Sequence, residues 1–202
     1  MPQKAKIAVL VSGGGTNLQA LIDAQKSGIL SSGEIKLVIS NNADAYALQR
    51  AKNADIPSLV CDKRLLGESF EETLTEILLK NKTDIIVLAG FMCILSETFT
   101  SRFANRIINI HPSLIPSFCG KGFYGLHVHE AALEYGVKVT GATVHFVNEI
   151  PDGGKIIMQK AVEVNETDTP QTLQKRVMEE AEWVILPLAV EKVCKEIKEK
   201  GE

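Results

Sequence analysis

An amide and an imidazole separated by one residue, Asn109 and His111, close an apolar run in INIHPSLIPSF, Ile108 to Phe118. Alternate side chains of an extended chain share a face, so both project to one side, while Pro112 and Pro116 limit the freedom of the loop beyond them. Such a pair can aim a hydrogen-bond donor and a titratable nitrogen at one reacting atom, the chemistry of a site that meets a developing oxyanion and moves a proton. Asp152, in PDGGK, is by default a turn-former; placed against His111, its carboxylate would orient the ring and favour its charged form. His145, in the strand before it, reads as a packed, hydrogen-bonded residue. His111, His127, His129 and His145 lack the carboxylate or cysteine spacing of a metal site, so no metal is expected.

Two further stretches carry chemistry. SGGGTNLQ, Ser12 to Gln19, puts consecutive glycines before a helix start, where backbone N–H groups and the helix dipole favour a phosphate. Gly13, Gly15 and Leu18 fill the three glycine positions of the dinucleotide fingerprint and no G-K-[ST] comes after them, so a phosphate monoester suits the loop better than NAD or ATP; a structural tight turn is the equal alternative. GFMCILS, Gly90 to Ser96, is too apolar for an ordinary surface loop, and its Phe91, Met92, Ile94 and Leu95 either pack as core or line a flat hydrophobic ligand.

The elements that must position these residues alternate. KIAVLV, IKLVIS, SLVC and DIIVLAG are short apolar runs, separated by the amphipathic NLQALIDAQKSG, AYALQRAKNA and SFEETLTEILLKN. Runs apolar throughout imply strands buried on both faces, as in a parallel sheet covered by crossover helices. The expected fold is α/β, a doubly wound, mostly parallel open sheet. RIINI supplies a fifth strand, a helix runs from about His127 to Tyr135, and TGATVHFV and KIIMQKAVEV form an antiparallel extension. Thr169 as N-cap and Pro170 in the first turn open a long C-terminal helix, with a break or kink expected near Pro187. Ligands of such sheets sit at the carboxyl ends of the parallel strands, where the loops above fall.

The 202 residues suggest one domain, and 45% apolar content suffices for a core. No apolar run approaches the ~20 residues of a spanning helix, and the start MPQKAKIAVLVS lacks a signal-peptide pattern, so a soluble, cytoplasmic protein with no membrane partner is expected. A net charge of -3 with no basic run argues against a nucleic-acid partner. Cys61, Cys93, Cys119 and Cys194 form no C-x-x-C pair and read as reduced thiols, Cys119 included.

Taken together, SGGGTNLQ, VLAGFMCILS, IINIHPSLIPSF and TGATVHFVNEIPDGGKIIMQKAVEV resemble, in order and spacing, the phosphoribosylglycinamide formyltransferase family, from residue 6 to about residue 190. The Asn-x-His pair with a downstream Asp is shared by the wider formyl-transfer family. The resemblance implies catalytic roles for Asn109, His111 and Asp152, and a ribonucleotide phosphate held at Gly15, Thr16 and Asn17. It implies a ribose contact for Glu182, in EEAEW, and a folate pteridine bordered by Met92, Cys93, Ile94 and Leu95, with Val147 to Asp152 closing over it and Asn109 beside it. The ribonucleotide phosphate would belong to residues 1–100 and the folate and catalytic half to 101–202 of a single formyltransferase domain. Four departures stand out: Cys93 replaces a frequent arginine; a basic folate contact falls on Arg64 only with a gap, and on Gly67 without one; FCGKGFYG, Phe118 to Gly125, is longer than the usual short Pro-Gly connection; Lys155 replaces a common proline.

The implied reaction moves the formyl group of 10-formyltetrahydrofolate, as co-substrate, to the amine of glycinamide ribonucleotide in purine synthesis, with small-molecule partners, no metal, and a monomer or weak homodimer. A formyltransferase for another amine acceptor is the nearest alternative; the transfer-RNA and formylfolate-hydrolysing relatives carry further domains that 202 residues would not hold. A non-catalytic nucleotide-binding module has no need of Asn109, His111 and Asp152 at loop ends.

Overall fold

A computed structural model describes residues 4–200. Seven strands form one sheet in the order β3-β2-β1-β4-β5-β6-β7. They are β1 (Ala5–Val11), β2 (Gly33–Ser40), β3 (Ser58–Val60), β4 (Ile85–Leu88), β5 (Ile107–His111), β6 (Val139–Phe146) and β7 (Ile156–Glu163). The first five are parallel, whereas β6 pairs antiparallel with both β5 and β7. Eight helices connect them: α1 (Thr16–Ser27), α2 (Tyr46–Asn53), α3 (Lys63–Leu66), α4 (Phe70–Lys80), α5 (Glu97–Arg102), α6 (Leu126–Tyr135), α7 (Pro170–Val177) and α8 (Trp183–Lys200).

Both sheet faces are covered, which is why the central strands read as unbroken apolar runs. On one face Ile7, Val9 and Val11 pack with Leu18, Leu21 and Ile22 of α1 and with Ile185, Leu186, Ala189 and Val190 of α8; on the other, Ala8, Leu10, Ile86 and Leu88 meet Phe70, Leu74 and Leu78 of α4 and Phe99 and Phe103 at α5. Each fully buried Leu, Ile or Phe contributes roughly 1.5–3 kcal/mol by leaving water. Strand order reverses around β1, so the loops after β1 and β4 diverge and open a crevice at their carboxyl ends. One hydrogen bond ties its two lips: the Met92 N–H donates to Ser12 Oγ at 2.7 Å.

Three expectations change. Strand β3 is exposed at all three residues, as a three-residue strand at the sheet edge paired on one side only. Asp62 caps the unanticipated turn α3 by accepting from the Arg64 N–H at 2.9 Å, and a 3₁₀ turn, Gly67–Ser69, joins it to α4. At the C-terminal end, Thr169 and Thr172 form the reciprocal cap that starts α7, with Pro170 in its first turn. The helix is not broken at Pro187, which lies inside α8; the irregularity is a π-helical turn upstream, Met178–Glu182.

Candidate active site

A cleft of about 840 Å³ lies at the carboxyl ends of β4 and β5 beside the start of α1. Its walls are Gly90–Leu95 after β4 and Gly120–Gly125 before α6; Val147–Asp152 covers it, and Asn17, Met178 and Glu182 close its far end.

On β5, Asn109 and His111 share a face as period two requires, and the register sets Asn109 opposite His145 and His111 opposite Thr143. Asn109 Nδ2 lies 3.2 Å from His145 Nε2 and 3.5 Å from Asp152 Oδ1. His111 Nδ1 is 3.4 Å from Asp152 Oδ2, the same oxygen that accepts the Gly120 N–H at 2.8 Å. His111 Nε2 donates to the Phe118 carbonyl at 2.8 Å, and His145 Nδ1 donates to its neighbour's carbonyl, Phe146 O, at 2.8 Å. Because a carbonyl only accepts, Nε2 of His111 carries a proton in every state, and Nδ1, beside Asp152, is where the ring gains or loses its second. Phe118 and Asp152 both adopt left-handed backbone, at φ 48° and 56°, a strained choice for residues other than glycine.

The electrostatics depart from the simple expectation at His111. Asp152 does pull the ring's pKa upward, as does the Phe118 carbonyl, but burial outweighs both and holds it below its ordinary value. Burial thus favours a neutral His111 that can take a proton rather than a standing imidazolium. Burial also works to raise Asp152, yet the His145 hydrogen bond, the His111 charge and the Gly120 N–H together keep its carboxyl below the usual carboxylate range. Cys119, in the same loop, is pushed up by burial and by Asp152, and its Sγ–H donates to the Pro116 carbonyl at 3.3 Å, in keeping with an inert thiol.

At the far end Asn17 Nδ2 donates to Glu182 Oε2 at 2.7 Å, joining α1 to the π-helical turn. Burial raises the Glu182 carboxyl and the Asn17 bond offsets part of that. The Asn17 Oδ1 is buried with no partner, an acceptor left for something in the cleft. Gly15 is left-handed at φ 71°, and a Cβ there would lie 2.6 Å from Ala47 Cβ, so α2 packs directly on this glycine. The Gly13 and Gly14 carbonyls are drawn back by the Ala47 N–H at 3.0 Å and by Arg50 Nε at 2.8 Å.

Residues 5–190 match the model of the family described as formyl transferase. The chain belongs to the formyl transferase family. It is 45% identical over 187 residues to the phosphoribosylglycinamide formyltransferase of Haemophilus influenzae, covering 92% of this chain and 85% of that protein. It is 46% identical to the trifunctional purine biosynthetic protein adenosine-3 of Bos taurus over 96% of its own length, but spans only 19% of that relative. The crystal structure of glycinamide ribonucleotide transformylase 1 from Symbiobacterium toebii superimposes with a TM-score of 0.89 at 42% identity, covering 96% of this chain and 89% of that one.

Within this formyl transferase fold the three residues expected to be catalytic meet, and Asn17, Glu182, Met92, Cys93, Ile94, Leu95 and Val147 all border the same cleft. Gly15 and Thr16 immediately precede Asn17 but are not among the cleft-lining residues. Arg64 is not brought in: its guanidinium grips Asp62 through Nη2–Oδ2 at 2.7 Å and Nε–Oδ1 at 3.1 Å, and 79% of the side chain is exposed. Cys93 has the Lys63 ammonium 3.7 Å from its Sγ. Missed from sequence were His145, whose place beside Asn109 depends on a strand register, and His129 of α6, fully buried on the cleft wall with both ring nitrogens unpartnered. A histidine two residues after the helix-start His127 was the available signal, but facing cannot be read from it. No group of three or more metal-ligating side chains exists among the described residues, and no described helix is long and apolar enough to cross a membrane.

Proposed function

We propose that the chain transfers the formyl group of 10-formyltetrahydrofolate to the amine of N1-(5-phospho-β-D-ribosyl)glycinamide, giving the N-formyl product and tetrahydrofolate in purine synthesis. The observation that carries the reading is the convergence of Asn109, His111, His145 and Asp152 in a cleft that runs on to the Asn17–Glu182 pair. One long apolar-walled site thus offers a polar reaction centre between a surface for a flat ring and a hydrogen-bonding end for a ribonucleotide.

The amine attacks the formyl carbon, a C–N bond forms, and the carbonyl oxygen becomes an oxyanion. The Asn109 amide is the donor that meets it, which is where the largest share of the rate effect arises. His111, resting neutral, accepts the proton released by the amine at Nδ1, and Asp152 stabilises the imidazolium as it forms. That proton then passes to the departing N10 as the old C–N bond breaks, directly or through an ordered water, and the ring returns to neutral. The role of Glu182 and Asn17 is to hold the ribonucleotide, and Met92–Leu95 with Val147 hold the folate ring. The chain works as a single unit, since Asn17 and Glu182, from opposite ends of the sequence, close one end of the cleft. We place it in the cytoplasm, on small-molecule substrates; four unpaired thiols agree with a reducing compartment.

Formyl transfer from 10-formyltetrahydrofolate to the ribonucleotide, followed by folate absorbance, tests the reading. Turnover is expected; tight binding of the folate with no transfer to this amine would redirect the assignment to another acceptor.

A further inference from the structure

The wall formed by Gly120–Gly125 carries a positive side chain that the rest of the cleft lining lacks. Among the described residues that line the cleft, Lys121 is the one lysine or arginine, and Glu149, Asp152 and Glu182 are the acidic residues of the same lining. Lys121 is exposed and takes part in no ion pair among the described residues. Both ligands of the proposed reaction are anionic, one through its phosphate and the other through the carboxylates of its glutamate tail. A cleft whose other acidic or basic side chains are carboxyls and histidines gives neither anion a permanent countercharge.

The backbone around Lys121 is specified rather than slack. Gly120 and Gly122 are left-handed at φ 87° and 95°, and a Cβ on either would meet nothing within 4 Å. Conformation, not lack of room, therefore calls for glycine on both sides of the lysine. The Gly120 N–H is anchored on Asp152 Oδ2 at 2.8 Å, and Phe118 and Phe123 brace the loop with ring centroids 6.3 Å apart. Lys121 is thus the next residue after a backbone contact to the reaction centre, on a wall held by that contact.

We infer that Lys121 is a substrate-binding residue of this chain, its ammonium neutralising an anionic group of a bound ligand, the ribonucleotide phosphate or a folate carboxylate. The inference rests on the proposed reaction and deepens it, because it gives that site the one lysine or arginine among the described residues of its lining.

The test is equilibrium binding of each substrate separately, read by Trp183 fluorescence, together with steady-state turnover, for wild type, Lys121→Met, Lys121→Arg and the remote exposed control Lys138→Met. Lys121→Met is expected to weaken one substrate about tenfold, the size of one lost charge-assisted contact, with kcat nearly kept, and the substrate affected identifies the anion. Lys121→Arg should restore most of the affinity, and the wild-type Kd should rise more steeply with KCl than that of Lys121→Met. Wild-type turnover with unchanged Kd for both substrates in Lys121→Met would overturn the inference alone. A wild type that binds neither substrate would overturn the proposed reaction and the inference with it. An equal loss in the Lys138→Met control would also overturn the inference, since the effect would then be one of overall charge.

Discussion

At the proposed reaction end of the cleft the polar groups are engaged with one another, whereas at the proposed ribonucleotide end one is left without a partner. Asp152 accepts a backbone N–H and faces two histidines, His111 is fixed by the Phe118 carbonyl, and His145 by Phe146. Asn17, by contrast, donates to Glu182 and keeps a buried oxygen without a partner. The first arrangement is preorganised for charge that appears only during reaction; the second is completed by a ligand that is present before it. Loss of a group at the first end should therefore fall on kcat, and loss at the second on KM.

The largest break in that comparison is His111→Ala, for which turnover should fall at least about 10²–10³-fold, the cost of losing a group that acts in the transition state. Melting should persist near the wild-type value, and near-normal kcat would remove His111 from the mechanism. Asp152→Asn should also cut kcat heavily, and it carries a titration signature. Burial lowers the His111 pKa and Asp152 partly restores it, so NMR titration should find His111 below 6.5 in the wild type and lower still in the variant. A rise in the variant would contradict the assigned balance.

A stability measurement separates His129 from both ends. Burial, with His111 adding, pushes the His129 ring down to about 4 from an ordinary 6.5, so the folded chain binds fewer protons than the unfolded chain between those values. Stability from this group is complete above about pH 6.5 and is lost as pH falls toward 4, by roughly 3 kcal/mol. Urea denaturation at about pH 7.5 and about pH 4.5 should show the loss, and His129→Asn should flatten it; an equal slope in the variant would point to other groups. Glu182→Gln, which keeps an acceptor for Asn17, should raise the ribonucleotide KM about tenfold while sparing kcat. The smallest effect expected is Arg64→Ala, under about twofold on the folate KM, because that guanidinium is spent on Asp62 outside the cleft. A larger rise would return Arg64 to the folate site.

Legibility in the sequence depends on which interactions are local. Parallel strands buried on both faces leave unbroken β-branched runs, and Thr169-Pro170 or Asn109-x-His111 are legible because their geometry is fixed within a few residues. Strand β3 reads as more buried than it is because edge position depends on neighbours, not on its own composition. A kink is expected at Pro187 because the proline is visible, whereas the π-helical turn lies upstream, at residues with no such signal. His145 joins the site through the pairing of β6 with β5, and Asn17 meets Glu182 across most of the chain; neither contact has a local signature. The sign at His111 differs from the expected one because a carboxylate partner shows in sequence and the depth of burial does not.

The most direct test of separate work at the two ends is steady-state formyl transfer by His111→Ala and Asn17→Ala measured side by side with both substrates varied. Expected are a collapsed kcat with ribonucleotide KM near wild type in the first, and a KM raised about tenfold with kcat within a few-fold of wild type in the second. Equal losses of kcat in both, with KM unchanged in Asn17→Ala, would contradict that division and move the ribonucleotide away from the Asn17–Glu182 end.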